Sequence, residues 1–315
     1  MVDLFPQDRA SWKKTVKRLL GVGLIMLGCF VMFVSCAERA MLYPVRFRPA
    51  PPPANLPQYA RELSVQHEEG ATYAHLYLGQ GVSVDNPAPL VIYSHGNGEL
   101  IEDYAPLGLP GYRRMGVSVL MVEYRGVGRG EGTPNKTNID ADHIAFYDLA
   151  AALPEVDPER IILHGRSMGG GIVASLALER PGAAMVLEST YSSIEDFARR
   201  LLLPLFLVKD KYDVTATLRV YERPVFMVHS ERDNTIPYVM SEKNRAARPA
   251  ELPLTFVSYD VGHNDPMPPQ FYADVEAFFR EHGILPPEAA EAVEPAGPAE
   301  VDAEPPSIGS PNPGP

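Results

Sequence analysis

The stretch Arg160-Ile-Ile-Leu-His-Gly-Arg-Ser-Met-Gly-Gly-Gly171 decides the fold of this chain. A short apolar run ends in Gly-x-Ser-x-Gly around Ser167, and a helix-compatible run over 172–179 follows at once. This order predicts a strand, a sharp turn and a helix, with the serine hydroxyl lifted above the end of a sheet. The flanking glycines let the strand and the helix pass close to each other. We interpret Ser167 as a nucleophile, and the alternative is a tight turn with an inert serine.

Strand-like and helix-like segments alternate through most of the chain. Continuous apolar runs such as Leu90–Tyr93 are typical of parallel strands that are covered on both faces. The pattern predicts a doubly wound, mostly parallel α/β sheet with helices on both faces and functional loops at the carboxyl ends of the strands. The predicted strands lie at 74–78, 90–94, 117–122, 160–164, 184–187, 225–229 and 254–257, and the predicted helices at 106–115, 140–153, 168–179, 237–247 and 271–280.

A serine hydroxyl needs a general base, and the base needs a group that fixes its tautomer. A polar loop with Asp233 follows the strand predicted at 225–229, and Gly262-His263 follows the strand predicted at 254–257. The order Ser167, Asp233, His263 is the order used when each residue follows a different strand of such a sheet. We therefore predict Ser167 as nucleophile, His263 as base and Asp233 as acid.

Other side chains leave alternatives to this assignment. Glu231 precedes Asp233 closely, and Glu188 follows the strand predicted at 184–187, so both are alternative acids. Asp233 could instead cap the helix that Pro237 opens, and histidines are more often structural than catalytic. Of the eight histidines, His263 is the one that follows the last predicted strand in a glycine-containing loop.

Acyl transfer also needs two preorganised N–H donors for the oxyanion. Ser94-His-Gly-Asn-Gly98 directly follows a predicted strand, and its glycines allow backbone amides to approach a ligand. We assign the N–H groups of Asn97 and Met168 as donors, with a plain turn as the alternative for 94–98. The glycine-rich segment 123–130 lacks the pattern of a phosphate loop or a dinucleotide site, so we interpret it as structural.

Taken together, these motifs resemble the α/β-hydrolase superfamily, and within it the Bem46-like serine hydrolases such as the α/β-hydrolase-domain proteins 12, 13 and 17. The resemblance implies an α/β-hydrolase fold with a short cap, the triad Ser167, Asp233 and His263, and no cofactor or metal. The chain departs from the usual pattern at Glu123, where an aspartate is common. The motifs run in family order across 61–284 and are Ser94-His-Gly-Asn-Gly98, Glu123-Tyr-Arg-Gly-Val-Gly128, Gly165-Arg-Ser-Met-Gly169, Glu188-Ser-Thr-Tyr191, His229-Ser-Glu-Arg-Asp233 and Gly262-His-Asn-Asp265.

Residues 1–36 combine a basic segment with an uncharged apolar run at 19–35. Such a segment is an export signal or a membrane anchor, and the basic side predicts a domain on the outer, extracytoplasmic or periplasmic face. The run ends in Phe33-Val-Ser-Cys36, which resembles a bacterial lipobox with an imperfect first position. A cleaved lipoprotein with lipidated Cys36 and a retained signal anchor are both open.

The rest of the chain divides into a Pro-rich tether at 37–60, a hydrolase domain at 61–285 and an acidic, Pro- and Ala-rich tail at 286–315 that we predict to be disordered. A cap is expected at about 191–219, and its apolar run Leu201–Val208 suits either an acyl chain or packing on the body. The net charge of −12 argues against nucleic acid as a partner.

The sequence therefore predicts a membrane-tethered serine hydrolase that cleaves carboxylic esters or thioesters, with acyl or lipid substrates as one option. A peptidase with the same triad is the alternative among enzymes. A catalytically idle binding protein is the alternative from another class, and the triad together with two glycine-rich oxyanion elements argues against it.

Overall fold

A computed structural model describes residues 9–287, without the side chains of 9–11, 34–37 and 207. Within this range, eight strands form a single sheet. The strands are β1 Ala60–His67, β2 Gly70–Tyr77, β3 Ala88–Ser94, β4 Ser118–Val122, β5 Val156–Arg166, β6 Ala184–Glu188, β7 Val225–Val228 and β8 Leu254–Val257. The α-helices are α1 Arg9–Leu42, α2 Pro110–Arg114, α3 Lys136–Ala151, α4 Met168–Glu179, α5 Ile194–Arg200, α6 Val214–Val220, α7 Val239–Ala247 and α8 Pro269–Glu281, and 3₁₀ helices lie at Pro44–Phe47, Ile101–Tyr104 and Leu205–Leu207.

The strand order across the sheet is β1-β2-β4-β3-β5-β6-β7-β8. The first three strands pair antiparallel, and all pairs from β4 to β8 are parallel. The winding direction reverses at β3, which lies between β4 and β5, so the loops after β3 and β5 meet at the carboxyl edge of the sheet. The predicted doubly wound, mostly parallel α/β architecture is confirmed.

The central strand β3 is buried on both faces, and its side chains alternate between two cores. Leu90 and Ile92 pack with Ile172 of α4 on one side of the sheet. Val91 and Tyr93 pack with Phe271 of α8 on the other side. Because both faces are covered, the strand is a continuous apolar run in the sequence, which is why it could be predicted.

Two elements differ from the sequence-based prediction. The edge strand β1 was not predicted, because its alternation rests on Leu63 and Val65 among charged and polar neighbours. The helix expected at 106–115 is only the short α2, which begins at Pro110. The turn before it contains Gly108, whose φ of 63° is outside the helical region.

Side-chain caps fix the starts of the two cap helices. The Ser193 hydroxyl accepts a hydrogen bond from the N–H of Asp196 at 3.0 Å, and the Asp213 carboxylate accepts one from Ala216 at 2.9 Å. Such caps satisfy N–H groups that have no partner inside the helix. α5 lies within the segment 191–219, where the sequence predicts a cap, and α6 begins in that segment and ends one residue beyond it, at Val220.

The N-terminal helix α1 contains the stretch Trp12–Leu42, which is long and apolar enough to cross a membrane. The most apolar part of this stretch has a mean hydropathy of 2.5, and none of its residues is buried. α1 runs without a break past residue 36. The side chain of Cys36 lies outside the described residues, as does the tail from 288 onward. The domain boundaries and the lipidation of Cys36 stay predictions.

The turn from β5 into α4 brings two backbones into direct contact. A Cβ on Gly165 would lie 2.3 Å from the carbonyl oxygen of Gly169, and one on Gly169 would lie 1.9 Å from the carbonyl oxygen of Ser94. Real Cβ atoms do not approach backbone oxygens so closely. Glycine at both positions is therefore a packing requirement that joins α4 to β3 and β5.

Gly169→Ala should destabilise the protein by about 1–3 kcal/mol or more, because the added methyl group overlaps backbone that cannot rotate away. Urea unfolding of the full chain measures the change. Gly98→Ala is the matched control, since nothing lies within 4 Å of a Cβ built at Gly98. An equal stability of the two variants would contradict the close contact.

Candidate active site

Ser167 sits at the apex of the turn between β5 and α4. Its φ of 53° and ψ of −115° are strained for a residue with a side chain, at a cost of roughly 1–3 kcal/mol. Two bonds hold this conformation: the Ser167 N–H donates to the carbonyl oxygen of Glu188 at 2.8 Å, and the Thr190 hydroxyl donates to the Ser167 carbonyl at 2.7 Å. The backbone after β6 thus fixes the direction of the serine side chain.

The structure brings together all three side chains that the sequence singled out. His263 Nε2 lies 3.1 Å from Ser167 Oγ, and His263 Nδ1 lies 2.7 Å from Asp233 Oδ2. The three residues come from the loops after β5, β7 and β8 and are 6–7% exposed. The distances suit a proton path from hydroxyl to imidazole, with a carboxylate that fixes the ring tautomer.

Asp233 has two functions in its loop. Oδ1 accepts hydrogen bonds from the N–H groups of Thr235 at 2.9 Å and Ile236 at 2.7 Å, which leaves Oδ2 for His263. Burial would raise the pKa of Asp233, but the hydrogen bonds from His263 and Ile236 hold that pKa below its ordinary value. The low pKa favours the ionised carboxylate, and one side chain both caps the loop and contacts His263.

The alternative acids lie elsewhere. Glu231 is exposed, and Glu188 is paired with His164 at 3.2 Å and with Arg166 Nε at 3.1 Å. Burial would raise the pKa of Glu188, and the hydrogen bond and charge of His164, together with Arg166, lower it instead. Glu188 is thus a buried anion beneath the site rather than a partner of His263.

Arg166 is a residue of the site that sequence reasoning missed. Its guanidinium pairs with Glu99 and with Glu188, and Nη2 donates to the carbonyl oxygen of His263 at 2.6 Å. Burial alone would lower the pKa of Arg166, but the charges of Glu99 and Glu188 raise it. The only sequence signal was its position next to Ser167. One side chain thus connects the nucleophile turn, the loop after β3 and the histidine loop.

The loop after β3 is held by a buried pair, His95 and Glu123. His95 Nε2 lies 3.0 Å from Glu123 Oε1, and the same carboxylate accepts from the N–H groups of Ile101 and Tyr124. His95 Nδ1 lies 2.8 Å from the carbonyl oxygen of Gly96. Burial alone would lower the pKa of His95, but the charge and hydrogen bond of Glu123 outweigh the effect of burial. The pKa of His95 is therefore raised above its ordinary value. Glu123, where an aspartate is common, therefore positions the loop that carries Asn97.

A cavity of about 350 Å³ lies over Ser167. The Asn97 side chain donates to the carbonyl oxygen of Met41 at 3.1 Å, at the end of α1. Within the part of the chain that the structure describes, the backbone N–H groups of Asn97 and Met168 donate to no protein acceptor. Both predicted donors are therefore available to a ligand. Besides Ser167 and His263, the lining residues are Gly96, Asn97, Gly98, Glu99, Arg166, Thr235 and Asn264.

Comparisons with known proteins agree with this architecture. A family model described as "Serine aminopeptidase, S33" matches residues 85–209. An uncharacterized protein of Mycobacterium tuberculosis is 29% identical over 254 residues, covering 78% of this chain and 86% of its own length. Protein bem46 of Schizosaccharomyces pombe is 22% identical, covering 69% of this chain and 76% of its own length. The alpha/beta hydrolase domain-containing protein WAV2 of Arabidopsis thaliana is 28% identical, covering 48% of this chain and 55% of its own length.

Among solved structures, Est1E from Butyrivibrio proteoclasticus with bound ferulic acid superposes with a TM-score of 0.59 and 21% identity, covering 70% of this chain and 98% of that one. This chain therefore has the α/β-hydrolase fold and is similar to α/β-hydrolase-domain proteins. The resemblance to Bem46-type proteins that the motifs indicated is confirmed. Among the described residues of the chain, no group of three or more His, Cys, Asp or Glu side chains is arranged to hold a metal ion.

Asp233→Asn should slow fluorophosphonate labelling of Ser167 by about 10³-fold or more, because the amide no longer holds the His263 tautomer that accepts the serine proton. The rate of labelling of the full chain measures the effect. Asp260→Asn is the control, since Asp260 is exposed and pairs only with Arg232 among the described residues. Labelling of both variants at the wild-type rate would contradict the role of Asp233.

Glu123→Gln should destabilise the protein more at about pH 6 than at about pH 9. The pKa of His95 is raised in the folded protein. The ion pair of His95 with Glu123 therefore contributes its full stabilisation at pH values below the ordinary histidine pKa. This stabilisation is lost as the pH rises through the pKa of His95 in the folded state. Breaking a buried pair costs on the order of 3 kcal/mol where both partners are charged. Urea unfolding at the two pH values measures this, and Glu155→Gln, which removes the partner of Arg61 rather than of a histidine, should show no such pH dependence.

Proposed function

We propose that this α/β-hydrolase is a membrane-tethered serine hydrolase that cleaves carboxylic esters or thioesters. The observation that carries the proposal is the continuous hydrogen-bonded chain Ser167–His263–Asp233, with distances of 3.1 and 2.7 Å. Each member alone has an ordinary structural explanation. Their meeting below one cavity, on three separate loops, is what a nucleophilic hydroxyl requires.

The proposed reaction has two steps. His263 Nε2 takes the proton from Ser167 Oγ while the oxygen attacks the substrate carbonyl, and the imidazolium then gives this proton to the leaving alcohol or thiol. In the second step His263 takes a proton from water and the hydroxide attacks the acyl-enzyme. The bond between the acyl carbon and Ser167 Oγ then breaks, the carboxylic acid leaves, and His263 returns the proton to Ser167 Oγ. Asp233 stays ionised throughout and stabilises the imidazolium.

The oxyanion is assigned to the N–H groups of Asn97 and Met168. Support comes from their lack of protein acceptors among the described residues and from the bonds that hold their loops. Glu99 accepts the Gly96 N–H at 2.6 Å, so it fixes the loop just before Asn97. Preorganised donors of this kind each contribute about 10²–10³-fold to the rate of acyl transfer.

An aminopeptidase is the other candidate, because the matching family model carries that description. Recognition of a free amino terminus needs an unpaired carboxylate near the nucleophile. Glu99 is the carboxylate in the described lining of the cavity, and it is already bound by Gly96, Tyr104 and Arg166. The site therefore favours esters or thioesters over peptides with a free amino group.

Membrane tethering is assigned to α1. The basic residues precede its uncharged run at 19–35, which under the positive-inside rule leaves the hydrolase domain on the outer face. The helix continues unbroken past residue 36, and its last turn is bonded to the domain, which favours a retained anchor over cleavage before Cys36. Lipidation of Cys36 is the competing proposal.

Wild-type protein should hydrolyse p-nitrophenyl acetate, and Ser167→Ala should lose at least about 10³-fold in kcat. The full chain is assayed in lipid nanodiscs. Ser83→Ala, a change at an exposed serine, is the control and should match the wild type. Equal activity of wild type and Ser167→Ala, or no turnover together with no fluorophosphonate labelling, would overturn the proposal and favour a binding protein.

A further inference from the structure

A second cavity, of about 190 Å³, lies between the end of α1 and the cap. One wall comes from the helix, through Phe33, Met41 and Leu42, and the other comes from the cap, through Phe197, Leu201 and Leu203. The lining is almost wholly apolar. The cavity therefore suits a hydrocarbon chain and excludes a polar or charged group.

One charged side chain borders this cavity, and its charge is directed away from it. The Glu38 carboxylate accepts hydrogen bonds from the N–H groups of Lys209 at 2.6 Å and Asp210 at 3.1 Å. Nearby, the hydroxyl of the fully buried Tyr43 donates to the Asp210 carboxylate at 2.9 Å. These bonds attach the last turn of α1 to the cap and leave apolar surface facing the space between them.

The end of α1 contacts the residues that line both cavities. Met41 lines the apolar cavity, and its carbonyl oxygen accepts the hydrogen bond from the Asn97 side chain. Asn97 in turn lines the cavity over Ser167. The two cavities therefore adjoin at the contact between Met41 and Asn97, next to the proposed oxyanion donor.

Two strongly exposed apolar side chains lie in the same cap segment as residues that line the apolar cavity. Leu202 is 91% and Phe206 79% exposed, and both lie in the cap next to the end of the membrane-compatible helix. Isolated exposed apolar residues are normal, but a cluster at the end of such a helix is typical of a surface that meets lipid. The cavity would then open at the level of the membrane surface.

We propose that this cavity, built jointly by the end of α1 and the cap, is the binding site for the acyl chain of the substrate, and that the chain enters from the membrane. The proposal rests on the proposed ester or thioester hydrolysis at Ser167 and adds its substrate class, long-chain acyl esters. It also makes the N-terminal helix a part of the substrate site rather than a passive tether.

The test compares esters of different chain length with full-length protein in phosphatidylcholine nanodiscs. Leu203→Trp narrows the cavity, and Leu203→Asp places a carboxylate in its wall. Both should lower kcat/KM for p-nitrophenyl octanoate at least about tenfold, since each methylene lost from an apolar site costs roughly fourfold. Both should leave p-nitrophenyl acetate within about twofold of the wild type, which also shows that the variants fold.

Leu178→Trp is the matched control, because Leu178 is exposed on α4 and lies outside the cavity. The acyl site would be overturned if both Leu203 variants hydrolysed the octanoate ester at the wild-type rate, or if the control lost as much octanoate activity as they did. In either case, continued hydrolysis of the acetate ester would still support the proposed function. Absence of turnover with every ester would instead remove the proposed function itself. A diazirine-bearing fatty acid gives a readout without catalysis: cross-links should fall on Phe33 and on peptides covering 38–42 and 197–204, and cross-links confined to 12–32 would count against the site.

Discussion

The contact between the start of α4 and the end of β3 is the constraint on which the site depends. It exists because Gly165 and Gly169 have no side chains, so that two backbones meet where a single methyl group would overlap a carbonyl oxygen. This contact forces the strained φ of Ser167 and lifts its hydroxyl above the sheet. It also sets the start of α4, and with it the Met168 N–H, against the loop after β3. One packing requirement thus positions both Ser167, the proposed nucleophile, and the N–H of Met168, a proposed oxyanion donor.

The loops around this turn are positioned by buried charge rather than by apolar packing. Arg166 holds Glu99, Glu188 and the carbonyl oxygen of His263, so the loops after β3, β6 and β8 share one cation. In a low-dielectric interior, the loss of one partner from such a network destabilises the fold, because a buried charge is left unpaired. When all partners are present, the network favours one arrangement of the loops. A second pair, His95 and Glu123, fixes the loop after β3 from below. The positions of the three residues proposed to react are therefore set by partners outside that trio.

The sequence predicted the parts of this molecule that leave a local signal. Buried parallel strands are apolar runs, and the turn around Ser167 has a spacing that few other structures need, so the sheet and the loop positions of Asp233 and His263 followed. The network around Arg166 could not be predicted, because its partners lie 67 residues away at Glu99 and 97 residues away at His263. No sequence pattern encodes such a pairing. Strand β1 could not be predicted because it is an edge strand, and its polar neighbours give it the sequence pattern of a loop.

The contacts made by the end of α1 are a second feature that local sequence patterns could not predict. The sequence identified an apolar helix and a Pro-rich tether as separate segments, yet α1 continues into the predicted tether as far as Leu42. Glu38 and Tyr43, both within that predicted tether, are bonded into the cap at Asp210. The carbonyl oxygen of Met41 holds the side chain of Asn97, whose backbone N–H faces the nucleophile in the proposed reaction. The end of α1, the cap and the loop after β3 are therefore joined by hydrogen bonds. In the proposed function, a membrane helix that is bonded in this way would orient the cavity over Ser167 relative to the bilayer.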